Sequence, residues 1–138
     1  MPDLDSILET ALYVENLPRA CQFFEEVMGL SALRKEERLC AYDVNGVSVL
    51  LLFERGATTE GVRADNGYIP PHDGQGELHM AFKCSHQALA DWERHLSGAG
   101  VEIEGRTQWA TGGKSIYFRD PDRNLLEIAA SPGLWPGH

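Results

Sequence analysis

Nothing in the chain approaches the roughly 20 consecutive apolar residues that a membrane-crossing helix needs. The opening MPDLDSILET has no basic segment ahead of an apolar run, so a cytoplasmic protein is expected. Positive charge is also scarce. Against 21 Asp and Glu there are 12 Lys and Arg, a formal charge of −9. That balance opposes attraction to phosphate backbones and anionic lipid, so neither nucleic acid nor a membrane is an expected partner. Cysteine is limited to Cys21, Cys40 and Cys84, an odd number without the paired spacing of a zinc site. They read as reduced core thiols. With 138 residues the chain reads as one domain, able to bury roughly two thirds of its unfolded surface without staples.

What is present is an internal repeat. Residues 7–14, ILETALYV, alternate as a strand. Asn16 can cap a helix with Pro18 in its first turn and an apolar stripe of Ala20, Phe23, Phe24 and Val27, closed by Gly29. Extended segments follow at about 31–36, 39–44 and 47–54, the last two joined by Asn45-Gly46, a hairpin signal. The second half repeats this βαβββ order. A strand at 78–84 and a helix over 86–98, with Leu89, Trp92, His95 and Leu96 at helical spacing, precede strands near 101–109, 115–119 and 125–130. Two modules, about 7–54 and 78–131, are thus joined by residues 55–76 and followed by a tail, 132–138.

The stretch RDPDRNLLEIAAS, residues 119–131, sets one carboxylate, Glu127, inside an apolar strand. The Asp-Pro-Asp-Arg-Asn run is a turn signal, and the strand after it is apolar on both faces, hence central and covered. A buried carboxylate costs several kcal/mol unless a cation, a metal or a proton compensates it. Superposing the first strands of the modules with a shift of 70 puts Ala11 on Ala81 and Glu9 on His79. Alternation places Glu9 and His79 on the faces turned away from the helices. Glu9, His79 and Glu127 are therefore three candidate ligands that a paired βαβββ arrangement could bring around one point.

Carried by ETALYVENLPRACQFFEEVMGL, ELHMAF and SIYFRDPDRNLLEIA, the sequence resembles the vicinal oxygen chelate superfamily over about residues 7–131. That superfamily comprises glyoxalases, bleomycin-resistance proteins, fosfomycin-resistance transferases, epimerases and extradiol dioxygenases. The resemblance implies an α+β fold whose strands curve into a half-barrel, and a homodimer. It also implies that the metal ligands fall at Glu9, His79 and Glu127, while the fourth family position falls near Leu50, which cannot bind a metal. The family often has histidine where this chain has Glu9. In the fosfomycin-resistance branch, the positions of Ser115 and Tyr117 touch substrate.

Two carboxylates and one neutral imidazole balance a divalent ion, and the oxygen-rich set suits Mn²⁺, Mg²⁺ or Fe²⁺, with Ni²⁺ and Zn²⁺ also candidates. Open positions would accept substrate oxygens, so the ion could act as a Lewis acid, stabilise an enolate or, if iron, bind O₂. Glu9 or Glu127 is the candidate base. Residues 55–76 form a long connection of the kind that serves as a lid, in which Tyr68 and His72 are candidate substrate contacts and His72 a candidate proton shuttle. WATGGKS at 109–115 lacks the Walker spacing, and His95 reads as a surface residue. Two functional classes follow. One is a metal-dependent enzyme acting on a small oxygenated molecule by bidentate chelation. The other is a metal-free protein sequestering a drug, as in bleomycin resistance, with the glutamates attracting a ligand cation.

Overall fold

Asn16 opens the first helix as its sequence context predicts: its side chain accepts a hydrogen bond from the Arg19 amide at 2.9 Å. The computed structural model describes residues Met1–His138, and they divide into two units, Met1–Gln75 and Gly76–His138. Unit 1 runs β1 (Glu9–Val14), α1 (Leu17–Gln22), β2 (Ser31–Lys35), β3 (Leu39–Val44) and β4 (Ser48–Glu54). Its sheet has the order β1-β4-β3-β2, with β1 parallel to β4 and the other pairs antiparallel. Asn45 and Gly46, at φ 55° and 66°, make the tight turn between β3 and β4 that the sequence signals.

On the helix side of this sheet Leu12, Val14, Leu50, Leu52 and Tyr42 are buried against Leu17, Ala20 and Phe24. Each large apolar side chain of this set contributes about 1.5–3 kcal/mol by burial. The helix departs from the expected stripe. After α1 the pitch widens into a π-helical turn, Phe23–Val27, and the Met28 amide bonds the Phe23 carbonyl at 3.1 Å. The wider turn carries Met28 into the core in place of Val27, which is only half-buried. The segment 55–75 belongs to unit 1 and has a hairpin of its own, β5 (Val62–Ala64) with β6 (Gly67–Ile69).

Unit 2 repeats the pattern with β7 (His79–Ser85), α2 (Leu89–Gly98), β8 (Gly105–Gln108), β9 (Lys114–Arg119) and β10 (Leu125–Ser131). The sheet order is β7-β10-β9-β8, so the strand carrying Glu127 is central. α2 begins three residues later than the periodicity suggests, because residues 86–88 form a turn in which the Ala88 amide bonds the Ser85 carbonyl. The Asp-Pro-Asp turn is a clamp. The buried Asp120 carboxylate accepts from the Asp122 amide at 3.0 Å, the Asn124 amide at 2.8 Å and the Asn124 side chain at 2.9 Å. Asn124 Oδ1 in turn accepts from the Leu78 amide at 3.0 Å. The turn before Glu127 is thereby tied to the residue before His79. The α+β expectation holds, and no helix is long and apolar enough to cross a membrane.

Candidate functional site

Register sets the two candidate ligands of unit 2 beside each other. Leu125 pairs with His79 and Glu127 with Ala81, so His79 and Glu127 side chains project from neighbouring strands on one face. His79 Nε2 lies 3.3 Å from Glu127 Oε2. His79 Nδ1 lies 2.8 Å from the Leu125 carbonyl, an acceptor only, so Nδ1 carries the proton and donates it. In the neutral ring Nε2 is then a bare lone pair facing a carboxylate. Either a second proton on the imidazole or a cation between the two groups resolves that arrangement.

The carboxylate itself is nearly out of solvent, at 5% exposure, and its Oε1 has no hydrogen-bond partner. An unmet buried acceptor costs about 1–3 kcal/mol. Arg123, the cation nearest in sequence, is bonded to Glu77 at 2.8 Å, and Arg119 does not supply the partner either. Its guanidinium is held by Glu104 at 2.9 Å and by Glu77 at 3.7 Å. The donor set fits a divalent ion: one imidazole with its tautomer fixed from behind, one buried carboxylate with a spare oxygen, and a half-exposed His79 that leaves the approach open. Within neither unit do three His, Cys, Asp or Glu side chains converge on one point.

Tyr117 pairs with Glu127 across β9 and β10, and its ring centroid is 6.5 Å from that of His79. Ser115 lies on the same strand face but is buried, and its hydroxyl accepts from Trp109 Nε1 at 2.9 Å. Trp109 was not singled out by sequence reasoning. It sits in the glycine-rich turn rejected as a phosphate loop, and only the β8–β9 pairing brings it over Ser115.

In unit 1, Glu9 is exposed at the start of β1 and pairs with Val49. It lines a cavity of about 590 Å³ whose floor is the sheet face away from the helix, including Ala11, Leu51 and Phe53. Thr58, Val62, Ile69 and His72 of the 55–75 segment also line it. His72 Nδ1 is 2.6 Å from the Tyr13 hydroxyl, and its ring packs edge-on against Phe53 at 4.9 Å. Burial, then the nearby Asp73 carboxylate, pushes the Tyr13 hydroxyl above its ordinary range, so Tyr13 is the donor of that bond. The Thr58 hydroxyl and the His72 carbonyl are bonded as well. Tyr68 does not line the cavity. It is exposed on β6, with the Arg63 guanidinium 4.1 Å above its ring.

The repeat can now be read from register. Leu51 pairs with Ala11, two residues after Glu9, as Glu127 pairs with Ala81, two residues after His79. The apolar counterpart of Glu127 is therefore Leu51, on the cavity face, and not the fully buried Leu50 on the helix side. Residues 6–128 match the model of the Glyoxalase/Bleomycin resistance protein/Dioxygenase superfamily. The chain belongs to this superfamily. It is 31% identical over 117 residues to the metallothiol transferase FosB of Shouchella clausii, covering 83% of this chain and 73% of that protein. To the FosB of Lysinibacillus sphaericus it is 30% identical over 127 residues, 91% of this chain and 82% of that one. Among solved structures, the lactoylglutathione lyase of Agrobacterium tumefaciens superposes with a TM-score of 0.88 at 29% identity, covering 99% of this chain and 100% of that one.

Proposed function

We propose that the chain is a metal-dependent enzyme that modifies a small oxygenated molecule, with Glu9, His79 and Glu127 as the protein ligands of one divalent ion. The observation that carries this reading is the His79–Glu127 pair, a fixed imidazole lone pair facing a buried carboxylate whose second oxygen is unmet. Glu9 is the third ligand because it opens β1 as His79 opens β7. The two carboxylates favour Mn²⁺, Mg²⁺ or Fe²⁺ over softer ions. When bound, the ion would supply Lewis acidity toward a pair of substrate oxygens.

This chain's own residues do the rest. The Leu125 carbonyl holds the His79 tautomer, and the Asp120–Asn124 clamp fixes the ends of both strands that carry the pair. Tyr117, beside His79, orients substrate, while Ser115 and Trp109 support it from behind. In unit 1 the apolar cavity floor offers room for an apolar group away from water, with His72 and Tyr13 as the polar groups there. Two chains associate in this reading, since β7 leaves His79, Ala81 and Lys83 exposed. The relatives' names, metallothiol transferase and lactoylglutathione lyase, point to a thiol compound as reactant.

The test is an assay of chelator-treated protein with a low-molecular-weight thiol and either an epoxide such as fosfomycin or a 2-oxoaldehyde, with divalent ions added singly. Metal-dependent consumption of thiol supports the reading. Consumption unchanged by ion or chelator, or lost equally in unrelated surface variants, contradicts it.

A further inference from the structure

Two thiols meet in unit 1, away from the groups discussed so far. The Cys21 thiol, on α1, donates to Cys40 Sγ, on β3, with the sulfurs 2.9 Å apart. All three cysteines of the chain are free, and these two are 5% and 2% exposed. They are not sealed in. A pocket of about 440 Å³ is lined by both sulfur-bearing residues together with Leu17, Pro18, Glu25 and Lys35. Its remaining lining includes Glu26, Glu36 and Glu37, while Lys35 is held to Glu25 at 2.6 Å, so the rim is acidic. Glu25 also accepts from the Tyr42 hydroxyl at 2.8 Å, which braces the wall of the pocket next to Cys40.

We infer that Cys21 and Cys40 form a reversible dithiol site that undergoes exchange with a small uncharged disulfide entering this pocket. Closing the sulfurs from 2.9 Å to the bonded distance of about 2.0 Å is a shift of under an ångström, within reach of side-chain rotation. Cys21 Sγ, of the slightly more exposed residue, attacks the reagent RSSR. One sulfur–sulfur bond breaks, a mixed disulfide forms on Cys21, and the first RSH departs with the Cys21 proton. Cys40 Sγ then attacks the Cys21 sulfur, forming the internal disulfide and releasing the second RSH with the Cys40 proton. The protein loses two electrons and two protons, and the reagent gains both. The acidic rim selects against anionic disulfides by repulsion. Burial, then the contact with Cys21, pushes the Cys40 thiol up to about 12, so the closing attack by Cys40 accelerates as pH rises.

The folded, reduced protein treated with 2-hydroxyethyl disulfide at mildly alkaline pH, then alkylated in denaturant and mapped by mass spectrometry, tests this. The expected result is a Cys21–Cys40 linked peptide, a mass loss of two hydrogens, an alkylated Cys84, and full reversal by dithiothreitol. Anionic oxidised glutathione reacts about tenfold or more slowly at low salt. Cys40→Ser, checked for folding by circular dichroism, accumulates a stable mixed disulfide on Cys21. Linkage only between chains, reaction at Cys84 while Cys21 and Cys40 remain unlinked, or equal rates with the two reagents would overturn the inference.

Discussion

Leu51 stands in the first sheet where Glu127 stands in the second, each paired with the residue two positions after the one that opens its module's first strand. The two modules are thus alike in backbone and unlike in chemistry. Unit 2 has an imidazole and a carboxylate in contact, whereas unit 1 offers Glu9 above an apolar cavity floor. The matching position of unit 1, Leu51, carries no metal-binding atom.

Glu127→Gln therefore removes the charge while keeping the size. In chelator at pH 8, where an ordinary imidazole is neutral, denaturant unfolding is expected to show unchanged stability or a gain of about 1 kcal/mol, since an amide replaces a buried carboxylate with an unmet oxygen. Divalent-ion affinity falls at the same time. A loss of several kcal/mol with ion uptake intact would instead make Glu127 a structural charge.

Asp120→Ala removes three hydrogen bonds from a buried turn, and about 3 kcal/mol of unfolding free energy is expected to go with them. Asp120→Asn addresses pH. Burial pushes the Asp120 carboxyl above its ordinary value, against the lowering effect of the Asn124 bonds. A carboxyl raised in the folded state binds more protons there than when unfolded. Stability is consequently lost as pH rises from the ordinary value of 3.8 through the raised one. Urea unfolding across the acid range reads this as a downward slope that Asp120→Asn flattens.

The 55–75 segment is held on the cavity by a few contacts that can be cut singly. Tyr13→Phe deletes the 2.6 Å bond to His72, at a cost of about 1 kcal/mol locally. Gly74→Ala is harsher, because a Cβ there would come within 2.5 Å of Tyr13 Cδ2. Both variants are expected to raise hydrogen exchange at the His72 amide, which bonds the Thr58 carbonyl, and to speed proteolysis within the segment. Exchange there equal to the parent protein would mean that the contacts do not hold the segment down.

Much of this was legible beforehand because it rests on local signals. Asn16, Asn45-Gly46 and the Asp-Pro-Asp run each dictate a cap or a turn, and strict alternation put Glu9 and His79 on the faces away from the helices. The central place of β10 followed from apolar residues on both its faces. Other features depend on contacts distant in sequence. The π-helical turn that substitutes Met28 for Val27 answers to packing beneath the sheet, and periodicity at 3.6 residues cannot foresee it. The Tyr13–His72 bond joins segments far apart in the chain, whereas the β5–β6 hairpin rests on a local Asp65-Asn66-Gly67 turn inside a segment read only as a lid. Likewise, the exact counterpart of Glu127 needed strand register, which composition alone leaves one residue adrift.

The most direct measurement is a divalent-ion titration, by calorimetry or Mn²⁺ electron paramagnetic resonance, of chelator-treated parent protein beside Glu9→Gln, His79→Ala and Glu127→Gln. A single ion per chain is expected, with affinity reduced at least about tenfold in each of the three variants and folding retained in all. A parent protein that takes up no ion, or variants of which only one loses affinity, would contradict the three-ligand site.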